Sequence, residues 1–203
     1  MNQTPFNKSE CLSPVDQDSL VLHERAGTVR HLKVLTGVAI LSGSFNPLHH
    51  GHRQLQQVAA EELESRVIFE LSVTIADKQT LSESDLQTRL GQFDGHDVAV
   101  TQCTLFAEKA KLFPGCCFVV GFDTAARILD ARFYQRDRTQ LHNALQALTD
   151  SGNRFFVGGR LSRDASQFCS VNELTIPAEF RHLFSGVSER RFREDISSSD
   201  LRQ

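Results

Sequence analysis

A turn-rich stretch, Gly43-Ser44-Phe45-Asn46-Pro47-Leu48-His49-His50-Gly51-His52, separates a short apolar run from an amphipathic one. His49 and His52 are three residues apart, so on the first turn of a helix their imidazoles project to the same side. Two adjacent ring donors can stabilise charge that develops on a transferring phosphoryl group. Gly43 and Gly51 allow the backbone to turn and to approach a ligand closely. The backbone N–H groups of Ser44, Phe45 and Asn46, with the positive end of the following helix, would then face an anion. His50 is expected to face solvent. Histidines at three of four positions are also compatible with a solvated loop or a chance metal cluster, but their place behind an apolar strand favours the anion reading.

Two further segments carry chemistry. Ile196-Ser197-Ser198-Ser199-Asp200-Leu201-Arg202 reads as a helix start, with hydroxyls and unpaired N–H groups for phosphate oxygens at Ser197, Ser198 and Ser199. Arg202, one turn later, adds a forked cation. In Val119-Val120-Gly121-Phe122-Asp123-Thr124, Gly121 permits close approach. Asp123 either caps a helix or accepts hydrogen bonds from a sugar or acceptor, and the residues alone leave both open.

The elements that must position these groups alternate. Residues 36–42 form an apolar, β-branched run, the pattern of a strand buried on both faces. Helical periodicity follows, with Leu55, Val58, Ala59 and Leu63 on one face. The strand-like segments 67–73, 98–100, 116–121 and 154–158 alternate with helical ones near 85–93, 105–113, from Thr124, and 140–148. This order predicts an α/β fold of one domain, a parallel sheet with helices on both faces and its ligand site at the carboxyl ends of the strands. Residues 36–203 are assigned to that domain. Residues 1–35 are read as an N-terminal extension, partly disordered or peripheral, because the first 18 or so are polar.

Composition narrows the function. The 203 residues carry a formal charge of -3, with a pI near 6.2 and a mean hydropathy of -0.27, without the basic excess of a nonspecific nucleic-acid binder. No run is long and apolar enough to span a membrane, and the first twenty residues lack the basic start and apolar core of a secretory signal. A cytoplasmic location is therefore expected. The five cysteines are odd in number and lack CxxC spacing, which points to reduced, buried thiols.

The stretch GSFNPLHHGH resembles the HxGH signature of the nucleotidylyltransferases, and in its full GSFNP form is similar to the pyridine-nucleotide adenylyltransferases. ISSSDLR resembles their second signature, ISSTxxR, and GFD resembles their GxD segment, which lines the adenosine and acceptor pocket. The longer run GFDTAARILDARFY is similar to a cytidylyltransferase-like branch. The resemblance covers about residues 36–203 and implies a Rossmann-like enzyme that transfers AMP from ATP to nicotinamide or nicotinate mononucleotide, releasing pyrophosphate, in NAD biosynthesis.

The same resemblance implies that Mg²⁺ is held mainly by the nucleotide phosphates, with no metal site of the protein's own. His49, His52 and Arg202 are the implied catalytic residues. Gly43, Ser44, Phe45, Asn46, Gly51, Gly121, Asp123, Arg160, Ser197, Ser198 and Ser199 are the implied nucleotide-binding ones, with Lys78 and Arg89 where the family has basic residues. Two departures stand out. The family's ring-stacking tryptophan has no counterpart, since the chain has no Trp, leaving Phe133 or Tyr134 to stack. The family continues the last helix for several turns, whereas this sequence ends one residue after Arg202.

Small-molecule nucleotides are the expected partners, without nucleic acid or membrane, and the oligomeric state is left open. Alternatives are a cytidylyltransferase, an adenylyltransferase for another phosphorylated metabolite, or a nucleotide-binding module without turnover. The core of an aminoacyl-tRNA synthetase shares the HxGH-type loop, but length, pI and the absence of a lysine-rich loop argue against it.

Overall fold

The computed structural model describes residues 18–74, 80–162 and 167–193. In chain order the elements are Leu20–His23 (β1), Val29–Leu32 (β2), Ala39–Ser42 (β3), His50–Glu62 (α1), Val67–Ser72 (β4), Glu83–Leu90 (α2), Val98–Thr101 (β5) and Phe106–Leu112 (α3). They continue with Cys117–Gly121 (β6), Phe122–Ile128 (α4), Arg138–Asp150 (α5), Arg154–Gly158 (β7), Arg160–Leu161 (β8), Phe168–Cys169 (β9) and Phe184–Gly186 (β10), with short 3-10 turns between.

β3, β4 and β5 carry apolar residues on both faces, so they can be stable only between two helical layers. They pair in parallel, and β6, β7 and β10 extend the sheet in parallel on the other side of β3, in the order β10-β7-β6-β3-β4-β5-β1-β2. α1 and α2 cover one face, burying Leu55, Val58, Ala59, Leu86 and Leu90 against Leu41, Phe69, Val119 and Phe156. On the other face α3, α4 and α5 bury Ala110, Leu112, Ala125, Ile128, Leu145 and Leu148 against Ile40, Ile68, Phe118 and Phe155. The result is a single α/β domain with a Rossmann-like, mostly parallel sheet. Chain direction across the sheet reverses between β3 and β6, and such a switch point leaves a crevice at the strands' carboxyl ends.

Part of the amino-terminal region, from Leu20, adds to one edge of the sheet. β1 and β2 form an antiparallel hairpin, and β1 pairs antiparallel with β5, placing Leu22 opposite Ala99. Leu20, Val21 and Leu22 are buried, and β2 is the outer edge strand of the same sheet. Gly27, at a φ of +88°, supplies the left-handed position of the turn. Residues 1–17 lie outside the described part.

Candidate functional site

The site begins where β3 ends. The N–H of Gly43 continues the parallel ladder by donating to the Glu70 carbonyl at 3.2 Å, and the chain then leaves the sheet. At Phe45 the backbone enters the left-handed region, with a φ of 43°, and the Asn46–Pro47 bond is cis. A non-glycine residue holds such a φ only where its surroundings fix it. Here they do. The Phe45 ring is 1% exposed and meets Phe69, Phe93 and His52 edge to face, with centroids 5.4, 5.2 and 5.0 Å away. A Cβ on Gly43 would stand 2.8 Å from that ring, so the glycine lets Phe45 fold back beneath its own loop.

α1 follows, with His49 as its N-cap residue. The His49 backbone N–H donates to His52 Nδ1 at 3.3 Å, and the rings lie 3.8 Å apart at 34°. With Nδ1 accepting, the ring proton of neutral His52 resides on Nε2. Burial, reinforced by the neighbouring His49, pushes the His52 pKa down to about 3. At neutral pH His52 is therefore a hydrogen-bond donor rather than a cation.

Across the switch point, β6 delivers Gly121 to the same crevice and β7 delivers Gly158, Gly159 and Arg160. These groups, with Gly43, Ser44, His49, Gly51, His52, Asp123 and Arg127, line a cavity of about 210 Å³. A Cβ on Gly121 would meet nothing within 4 Å, so the missing side chain leaves open space there. Asp123 does not cap α4, whose N-cap is Gly121 without a side-chain bond. Its carboxylate instead accepts from Arg160 Nη1 at 2.5 Å, while Arg160 Nε holds the Leu161 carbonyl at 2.9 Å. Among the described residues, the cavity thus combines a neutral imidazole donor, two guanidinium groups and one carboxylate, Asp123, that is already paired.

Nine of the residues expected at the site, counting His49, His52, Gly43, Ser44, Gly51, Gly121, Asp123 and Arg160 with the positioning role of Phe45, fall in or directly beneath this crevice. Phe45 and Asn46 are not among the cavity's lining residues. Arg89 is not there either, since it donates from α2 to the Ser44 carbonyl at 2.9 Å. Tyr134 is unsuited to ring stacking on a ligand, because it is buried and its hydroxyl donates to the Ile128 carbonyl at 3.2 Å. Phe133 is 51% exposed and does not line the cavity. Ser197, Ser198, Ser199, Arg202 and Lys78 lie outside the described residues.

Two groups escaped the sequence reading. Arg127 lies four residues after Asp123 and so on the same side of α4, a spacing that could have flagged it. Gln92, just after α2, holds the loop from outside the cavity, and no local signal marks it. A larger hollow of about 850 Å³ runs between α4, α5 and residues 173–180, over Leu141, Leu174, Ile176 and Phe180. It holds none of the expected site residues and shares only Phe122 with the smaller cavity.

Among the described residues, no group of three or more His, Cys, Asp or Glu side chains is gathered to hold a metal. No helix among them is long and apolar enough to cross a membrane. No curated protein was found to match the chain. The family model described as cytidylyltransferase-like does match, over residues 40–203, a span that contains the histidine pair, the β6 glycine and Arg160. The chain belongs to the cytidylyltransferase-like family of nucleotidyltransferases.

Proposed function

We propose that the protein transfers AMP from ATP to a phosphorylated acceptor, nicotinamide or nicotinate mononucleotide, with release of pyrophosphate, as in NAD biosynthesis. The observation that carries this reading is the convergence of the His49–His52 pair with Gly121 and Arg160 on one glycine-lined crevice at the switch point. An acceptor phosphate oxygen attacks the α-phosphorus, a new P–O bond forms, and the bond to the bridging oxygen of pyrophosphate breaks. Charge grows on the phosphate oxygens during this step, and catalysis is mainly positioning and charge stabilisation.

In this scheme His52 donates from Nε2 to an α-phosphate oxygen and His49 stands beside it. Arg127 and Arg160 supply positive charge at the opposite wall. Arg160 reaches a phosphate by loosening its hold on Asp123. Ser197, Ser198, Ser199 and Arg202 are proposed to grip the β- and γ-phosphates.

The donor set suits Mg²⁺ carried by nucleotide phosphates rather than by the protein, since among the described residues Asp123 is the one carboxylate lining the cavity and is paired with Arg160. When bound, the ion neutralises phosphate charge. Its oxygen ligands would come from the nucleotide and from water.

The family match favours a second reading, in which CTP is the donor. Pyrophosphate release from ATP and from CTP, each with nicotinamide mononucleotide as acceptor, separates the two. Turnover with ATP that CTP neither supports nor inhibits bears out the adenylyl reading. Turnover with CTP alone replaces it with cytidylyl transfer.

A further inference from the structure

Three backbone groups of the 44–48 loop are held from one place, the carboxyl end of α2. Gln92 Oε1 accepts from the Leu48 N–H at 2.8 Å, and Gln92 Nε2 donates to the Phe45 carbonyl at 3.2 Å. Arg89 Nη1 donates to the Ser44 carbonyl at 2.9 Å. Gln92 is fixed in turn from α1, because Arg53 Nη2 donates to its backbone carbonyl at 2.9 Å. A carboxamide offers a donor and an acceptor in one plane, which is what bridging a carbonyl and an N–H across a turn requires.

The bridge spans the residues that set the geometry of the histidine pair. On one side Phe45 carries the ring that meets His52 edge-on. On the other, Leu48 precedes His49, whose N–H is the partner of His52 Nδ1. Moving either end of the turn changes that bond. Gln92 does not line the cavity, so its influence on chemistry passes through the loop.

We infer that Gln92 is a positioning residue for His52: its amide clamps the 45–48 turn, and so presents the His49 N–H to His52 Nδ1 and keeps the ring proton on Nε2, toward the cavity. The catalytic consequence rests on the proposed nucleotidyl transfer, whereas the geometric one does not. Without the clamp His52 samples both tautomers, and the donor aimed at the phosphate is present for only part of the time. Misplacement of this kind lowers turnover by about tenfold to a hundredfold with little change in KM.

The test records ¹⁵N shifts of the His52 ring at pH 7.5 in the wild type, Gln92→Ala and Gln92→Glu, beside kcat and KM for pyrophosphate release. Gln92→Glu keeps an acceptor for Leu48 but cannot donate to the Phe45 carbonyl. Asn153→Ala serves as a control for general loosening, because Asn153 makes a similar buried clamp on the Phe113 and Cys116 carbonyls, at 2.7 and 2.9 Å, far along the chain from the loop.

The expected result is a single Nε2–H tautomer in the wild type and in Asn153→Ala, a mixture in Gln92→Ala, and an intermediate state in Gln92→Glu, with kcat falling in the same order. If Gln92→Ala does not fold, the glutamate variant carries the comparison. An unchanged His52 ring in the variant that folds overturns the inference, as does an equal change in Asn153→Ala. Absence of pyrophosphate release by the wild type would defeat the proposed function while leaving the ring measurement to decide the role of Gln92.

Discussion

The backbone N–H of His49 donates to Nδ1 of His52 at 3.3 Å, so one histidine fixes which nitrogen of the other carries the proton. Removing that donor removes an interaction that strengthens as charge develops. His52→Ala is therefore expected to lower kcat for nucleotidyl transfer by about a hundredfold to a thousandfold. The change should be smaller in KM than in kcat, and steady-state pyrophosphate release measures both. Equal activity in the variant and the wild type would remove His52 from the mechanism.

Stability should fall with acidity over a defined window. Burial, then the nearby His49, holds His52 down to about 3. Burial also lowers His96, with Arg53 contributing, and His23, with His31 contributing. Unfolded histidines titrate near the ordinary value of about 6.5. Below that pH the unfolded chain takes up protons that the folded chain refuses, so stability is lost as pH falls, by up to about 1.4 kcal/mol per pH unit from the buried His52. Urea unfolding at pH 7 and pH 5 should show this loss, and His52→Asn should lose less. Identical losses in the two proteins would mean that His52 titrates normally in the fold.

Two glycines of the site should respond in opposite ways to the same substitution. At Gly43 a new methyl would press on the Phe45 ring from 2.8 Å, and Gly43→Ala should cost about 1–3 kcal/mol in a chemical unfolding titration. At Gly121 the new methyl enters open space, with an N-cap φ of -75° that alanine tolerates. Gly121→Ala should change stability by less than about 0.5 kcal/mol. It should nevertheless weaken nucleotide binding measured by calorimetry, since the methyl takes volume from the cavity. Unaltered binding would move the nucleotide away from β6.

Burial should decide the cost of losing a cation. Lys109 Nζ meets the Glu70 carboxylate at 2.5 Å, with the two side chains only 7% and 0% exposed, and Thr101 donates to the other Glu70 oxygen at 2.6 Å. Lys109→Met strands a buried charge and should cost about 3–5 kcal/mol. Arg160→Met breaks a pair whose Asp123 partner is 59% exposed, and should cost less than about 1 kcal/mol. Its effect should fall on nucleotide affinity instead. Unfolding curves for the two variants test the contrast, and comparable losses would contradict it.

The strand-loop-helix unit at the site was legible because its signals are local. β3 is continuously apolar, a glycine closes it, and α1 shows Leu55, Val58 and Ala59 at helical spacing. What lies far apart in the chain was not legible. β1 and β2 are only four residues each, and β1 is made a strand by β5, more than seventy residues on. The two readings of Asp123 stayed open because the residue that decides between them, Arg160, comes 37 positions later. Gln92 gave no sign of its role, since its loop partners precede it by 44 and 47 residues.

The most direct test of nucleotidyl transfer at the histidine-glycine crevice is detection of the dinucleotide product. Purified protein is incubated with Mg²⁺, ATP and nicotinamide mononucleotide, and product is followed by mass spectrometry beside His52→Ala. The account predicts a dinucleotide formed in equal amount with pyrophosphate, and strongly reduced in the variant. ATP binding without any dinucleotide, from this acceptor or from nicotinate mononucleotide, would contradict it and leave a nucleotide-binding module in its place.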